Sequence, residues 1–176
     1  MAIRKIVEIG DAALRQNCRK VEKFNERLHI LLDDMAETMY HANGVGLAAP
    51  QIGVLRRICV VDVRTEDSKL FEFINPEIIE QEGCQLGVEG CLSVPGRMGE
   101  VERPQKIKLR AQDRFGNPFE IVAEDFFARA ICHEIDHLNG QLYVDIMERE
   151  IFEEDLEEAP KPKRTLRKSK LQGLKK

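Results

Sequence analysis

Five residues, His133-Glu134-Ile135-Asp136-His137, constrain this chain more than any other feature. Two histidines four positions apart, with a glutamate directly after the first, follow the H-E-x-x-H pattern. On an α-helix four residues make slightly more than one turn, so both imidazoles share a face and can grip one metal ion. Glu134 falls about 100° further round the helix. There it is near such an ion yet free to take a proton from a water. The segment around the motif reads as a helix from Phe126 to Leu138. Asp125 is placed to cap it, Phe127, Ile131, Ile135 and Leu138 form an apolar stripe, and Gly140 supplies the stop.

The rest of the chain reads as helix, then short strands, then this helix. Leu28, Leu31, Leu32, Met35 and Met39 recur at helical spacing between Asn25 and Asn43, and Gly44 ends the run. Residues 44–53, GVGLAAPQIG, hold too much glycine and proline for a helix interior. Arg57 to Val63 reads as a buried strand. Leu70 to Ile74, Pro76 to Glu80, Glu100 to Val101 and Lys106 to Ala111 read as further strands. The turn signal Asp113 to Asn117 predicts a hairpin whose return strand runs from Pro118 to Val122. A short strand is expected over Gln141 to Asp145, and an acidic helical stretch over Glu150 to Glu158. The order predicts an α+β domain with short, mostly antiparallel sheets packed around a central metal-binding helix. Its expected extent is residues 1–150, followed by a charged tail over 151–176.

Composition narrows the setting. The 176 residues are 43% hydrophobic and 33% charged, which suits one ordinary soluble domain. No apolar run approaches the roughly 18 residues that would span a bilayer. The N-terminus has no signal-peptide pattern, and the five cysteines follow no disulfide spacing. Reduced thiols in a cytoplasm, with no membrane partner, are the expectation. From Ala159 to Lys176 there are eight basic residues and no acidic one, against a net charge of −4 for the whole chain. A basic tail on an acidic body points to an anionic partner or to a solubilising extension.

A catalytic metal commonly takes three protein ligands and leaves one position for water. The longer protease pattern H-E-x-x-H-x-x-G-x-x-H fits as far as Gly140, but Tyr143 stands where the third histidine belongs. A glutamate from residues 148–158 is a second option. Upstream, Glu89-Gly90-Cys91-Leu92-Ser93 sets a cysteine beside a glycine that allows close backbone approach. Cys91 with His133 and His137 makes a plausible three-ligand catalytic set. Cys18, Cys59 and Cys84 read as packing residues, and Cys132, beside His133 but turned about 100° away, as core or as support behind the ligands.

Three segments taken together resemble peptide deformylases: GVGLAAPQ at 44–51, EGCLS at 89–93 and HEIDH at 133–137, in that order. The resemblance spans roughly residues 1 to 150. It implies hydrolysis of the N-formyl group from the N-terminal formylmethionine of newly made polypeptides, with release of formate. It also implies Cys91, His133 and His137 as ligands of one divalent metal, Fe2+ foremost, with Ni2+, Co2+ or Zn2+ able to take its place. Glu134 would be the general base, and the Gln51 side chain and Leu92 backbone N–H would stabilise the oxyanion. Gly46 would meet substrate through its backbone, and Val45, Phe126 and Ala130 are candidates for an apolar methionine pocket. The basic tail is then expected to reach the ribosome. Arg97 and Asp136 receive no role. Two other readings stay open: a metalloprotease that cleaves internal peptide bonds, and a nucleic-acid-binding module held together by Cys/His metal ligation.

Overall fold

Helix α1 (Glu26–His41) starts where Asn25 offers a side-chain oxygen to the Leu28 N–H at 3.3 Å. Its stripe Leu28, Leu32, Met35 and Met39 buries against Leu47, Ile58, Val60 and Ile74. The computed structural model describes residues 1–157. After α1 come β1 (Gly46–Ala48), β2 (Ile58–Val61), β3 (Phe71–Glu82), β4 (Gln85–Cys91), β5 (Val94–Arg103), β6 (Lys106–Gln112) and β7 (Pro118–Glu124). Helix α2 (Asp125–Leu138), β8 (Arg149–Ile151) and the short α3 (Glu153–Glu157) complete the order.

The strands form two antiparallel sheets, one ordered β1-β2-β3-β6-β7 and the other β4-β5-β8. Helix α2 packs on the larger sheet. Ala128, Ile131, Ile135 and Leu138 meet Cys59, Val61, Phe73, Ile107 and Leu109 in one core. Strand β2 explains itself: Ile58 and Val60 face α1 while Cys59 and Val61 face α2, so all four residues are buried. A strand covered on both faces reads as a continuous apolar run rather than an alternation. Each such buried aliphatic side chain contributes about 1.5–3 kcal/mol. A third cluster, with Leu14, Val94, Val101, Leu142 and Tyr143, lies under the smaller sheet.

The α+β architecture is the one expected, and several local expectations need correction. Leu70–Ile74 and Pro76–Glu80 are parts of the single strand β3, whose register shifts between Ile74 and Glu77. The cause is local. Pro76 has no N–H for the ladder, and Asn75 takes a φ of 52°. That kink turns the Asn75 side chain onto the Val21 N–H and C=O, at 2.8 and 2.9 Å. Strand β4 was not read from the sequence, and β5 is far longer than Glu100–Val101. Residues 141–145 hold a 3-10 turn over Tyr143–Asp145 rather than a strand. Asp125 is not the cap of α2. It sits just inside the helix with φ 54°, its N–H given to Gln105 O at 3.0 Å and its carbonyl accepting from Gln85 Nε2 at 2.7 Å. The basic stretch Lys161–Lys176 lies outside the described residues.

Candidate active site

Because α2 buries its apolar stripe in the large sheet, its other face turns towards the small sheet. His137 is there, 1% exposed, and Glu134, 4% exposed, lies on the flank between that face and Gly46 of β1. Strand β4 runs into the tight connection before β5 and delivers Cys91 to the same place. One donor atom from each of Cys91, His133 and His137 lies within 4.8 Å of the others. Cys91 Sγ is 3.3 Å from His137 Nε2.

Glu89, two residues before Cys91, organises this centre. Its Oε2 is 2.8 Å from His133 Nδ1. Arg103 donates to both of its oxygens at 2.8 and 3.0 Å, and Arg129 donates to Oε1 at 2.8 Å. Arg103 also donates to Asp136 at 2.6 Å. With Nδ1 engaged, His133 presents Nε2 to the cluster, the usual way a ligating histidine is oriented. Burial works to raise the Glu89 carboxyl, but His133 and Arg103 outweigh it and hold its pKa at about 2. Burial also works to lower His133, yet its hydrogen bonds to Cys91 and Glu89 keep it at about 10. A cation against Nε2 would take the place of that proton. His137 is pushed well below its ordinary pKa, first by burial and then by the neighbouring His133 charge, and so stays neutral. Neutral imidazole is the form that ligates metal.

Glu134 differs from its neighbours. Burial lifts its pKa to about 7, and its Oε2 is buried with no hydrogen-bond partner among the described residues. A base poised near neutrality, with one oxygen left for a water, suits proton transfer. Gly46 makes room for it: a Cβ there would lie 2.8 Å from Glu134 Cδ and 2.9 Å from Cγ. Gln51 is 1% exposed. Its Oε1 accepts from the Ala48 N–H at 2.8 Å, which aims Nε2 at Ser93 Oγ (3.1 Å) and Cys91 Sγ (3.6 Å).

These groups line a cleft of about 390 Å3. Its walls include Cys91, His133 and Glu134, then Gln51 and Leu92, and then Val45, Gly46, Phe126 and Ala130. His137 is buried at the metal cluster and is not among the lining residues. Phe126 is 49% exposed and forms a rim rather than a floor. Glu89, Arg103 and Arg129 were missed from sequence. Of these, only Glu89 carried a signal, its place two residues before the cysteine on an extended segment. The N-terminal segment was also missed: the Val7 N–H reaches Gln51 O at 2.8 Å and the Ile9 N–H reaches Ser93 O at 2.7 Å. Tyr143 is no ligand. Its ring stacks 6.0 Å from that of His133, and its hydroxyl donates to Arg97 O. The Arg97 side chain pairs with Glu150 at the surface.

The donor set fits a divalent transition metal. It offers one thiol and two imidazoles, with a carboxylate beside them that has no partner of its own on one oxygen. The other buried thiols do not compete. Burial pushes Cys18 and Cys132 up to about 11 and Cys59 well above its ordinary value.

The family model for polypeptide deformylase matches residues 3–151. The chain belongs to the polypeptide deformylase family. It is 56% identical over 158 residues to a peptide deformylase of Caldicellulosiruptor bescii, covering 90% of this chain and 93% of that one. It is 58% identical over 145 residues to peptide deformylase 1 of Clostridium acetobutylicum, covering 82% and 95%. Among solved structures, a peptide deformylase from Legionella pneumophila superposes with a TM-score of 0.80 at 49% identity, over 83% of this chain and 86% of that one. The peptide deformylase from Thermotoga maritima gives 0.81 at 41% identity, over 85% and 100%. Membership makes this chain a metal-dependent hydrolase, and the Cys/His/His cluster is its metal-type site.

Proposed function

We propose that this enzyme removes the N-formyl group from the N-terminal formylmethionine of newly made polypeptides, releasing formate and a free amine. The observation that carries the reading is the meeting of three metal-type donors with a buried Glu134, whose Oε2 has no hydrogen-bond partner among the described residues, at one end of an apolar-walled cleft. Cys91, His133 and His137 would hold one divalent cation, whose Lewis acidity makes a water a nucleophile near neutral pH. Glu134 accepts the proton of that water and returns it to the leaving nitrogen. Gln51 Nε2 and the Leu92 N–H donate to the oxygen that turns negative as the formyl carbon becomes tetrahedral. Gly46 meets the substrate backbone, and Val45, Phe126 and Ala130 supply apolar contacts for the methionine side chain.

For the cation we favour Fe2+, in line with the family resemblance. Thiolate with imidazole suits Ni2+, Co2+ and Zn2+ as well. An iron-loaded enzyme should lose activity in air, where the nickel-loaded one keeps it. The protease reading finds no support: the third donor at the cluster is Cys91, while Glu148 lies beside β5 through its backbone and Glu150 pairs with Arg97. The nucleic-acid-binding module finds none either: structural metal sites normally fill four positions, whereas three donors gather among the described residues, and Glu134 would have no role. Formate release from a formyl-Met peptide, set against cleavage of an internal peptide bond, tests the assignment directly.

A catalytic unit ending near β8 and a separate charged tail remain our proposal for the chain's organisation. No helix among the described residues is long and apolar enough to cross a membrane, and we place the enzyme in the cytoplasm. Residues 161–176 would contact ribosomal RNA, a contact that weakens steeply with salt. Deleting 160–176 should leave turnover of a short peptide unchanged and reduce co-sedimentation with ribosomes at low salt; unchanged co-sedimentation would refute the contact.

A further inference from the structure

Residues 43–46 form one wall of the cleft, and three side chains that never enter the cleft hold that wall from outside. Asn43 takes a φ of 57°, and the chain then turns through Gly44 into β1. Gly44 is confined on its cleft side, where a Cβ would lie 2.7 Å from Leu92 Cδ1. On the outer side Arg64 Nη2 donates to the Gly44 carbonyl at 3.0 Å. The next carbonyl, Val45 O, accepts from the Asp62 N–H at 2.8 Å. Asp62 and Arg64 are themselves built as a unit. The Asp62 carboxylate accepts from Tyr40 Oη at 2.7 Å, Ser68 Oγ at 2.7 Å and the Arg64 N–H at 2.9 Å. The Arg64 guanidinium lies 5.4 Å over the Tyr40 ring. Arg64 also adopts a φ of 56°, a left-handed backbone rare for a side chain of its size.

These contacts converge on one outcome. Helix α1, through Tyr40, and the end of β2, through Asp62, join to direct one cation at one loop carbonyl. We propose that Arg64 is a positioning residue for substrate binding. With Tyr40 and Asp62 it clamps the Gly44–Gly46 wall, so that Gly46 is preset against both the substrate and Glu134. The proposal rests on the cleft being the formyl-peptide site. None of the three side chains touches the metal donors or the reacting atoms. The clamp should therefore act on substrate affinity and wall mobility, and leave the chemical step alone.

The test uses the metal-loaded full chain with Arg64→Ala, Arg64→Lys and Tyr40→Phe. Arg64→Ala should raise KM for a formyl-Met peptide by about three- to tenfold, the scale of one lost hydrogen bond at a solvent-exposed site. Its kcat and metal content should stay within twofold. Arg64→Lys, which keeps a cationic donor, should recover much of the loss. Combining Tyr40→Phe with Arg64→Ala should raise KM by less than the product of the single effects, because both act through one clamp. Independently of turnover, amide hydrogen exchange over residues 42–48 should quicken in Arg64→Ala and hold in Arg64→Lys. Unchanged exchange together with unchanged KM overturns the clamp. Quickened exchange in Arg64→Ala, beside a metal-loaded wild type that releases no formate, would instead overturn the substrate assignment and leave the clamp standing.

Discussion

Gly46→Ala puts the account of Glu134 under the sharpest strain. The added Cβ would stand 2.8 Å from Glu134 Cδ and 2.9 Å from Cγ, whereas ordinary contact begins at 3.4 Å. Neither backbone can yield freely. Gly46 is paired with Val61 in the β1–β2 ladder, and Glu134 rides on a helix whose apolar stripe is locked in the core. The carboxylate must therefore swing away by about half an ångström or more. Misplacing a reacting group by about 1 Å costs on the order of 100-fold in rate, close to 3 kcal/mol at the transition state. Overpacking of this kind also costs about 1–3 kcal/mol of folding stability. The variant should still bind metal, because the three donors lie on other atoms. The assay is formate release with metal content measured on the same preparation. The expected result is kcat down about 100-fold with metal unchanged. A kcat within twofold of wild type would show that the observed seat of Glu134 is not the one chemistry uses.

Cys91→Ser should lose metal far more readily than Cys18→Ser, Cys59→Ser or Cys84→Ser, because only Cys91 shares a cluster with His133 and His137; equal metal loss across the four would refute the ligand choice. Midway along α1, Asp34 is buried and accepts from the Ala2 N–H at 2.6 Å and from Arg4 Nε at 2.8 Å. Burial works to raise its carboxyl, but those partners hold it below its ordinary pKa. A depressed carboxylate stabilises the fold above its unfolded pKa of about 3.9 and ceases to do so as pH falls through the folded value. In urea titrations Asp34→Asn should thus be less stable than wild type at neutral pH, with the gap closing below about pH 4; a gap independent of pH would contradict the pairing.

What the sequence revealed and what it hid divide along physical lines. Helix α2 and its His133–Glu134–His137 face were readable because helical period alone sets which side chains share a face. Helix α1 was readable from Asn25 and the Leu28 to Met39 stripe. Strand β4 was not, because its QLGVEGC stretch carries two strand-weakening glycines and its alternation runs opposite to the usual one, with Leu86 and Val88 exposed and Glu89 buried. Arg103 and Arg129 look like solvated charges in one dimension, and Glu89 is marked only by its place two residues before Cys91. Their burial follows only from β4, β5 and α2 meeting in space, and each is tolerated there because the others neutralise it. Asp125 misled for the opposite reason. Its residue type suits a cap, but Gln85 of β4 and Gln105 of the β5–β6 connection claim its backbone and override the local preference.

In the proposed mechanism Glu134 drives hydrolysis of a formyl group beside a metal held by Cys91, His133 and His137. Anaerobically purified wild type and Glu134→Gln, compared for bound metal and for formate released from a formyl-Met peptide, test it in one measurement. Both proteins should carry about one equivalent of divalent metal, the number one three-donor site can hold. Wild type should release formate, and the variant should lose at least about 100-fold in turnover, the low end for removal of a general base. Formate release by Glu134→Gln at the wild-type rate, or metal lost in step with its activity, would contradict the assignment.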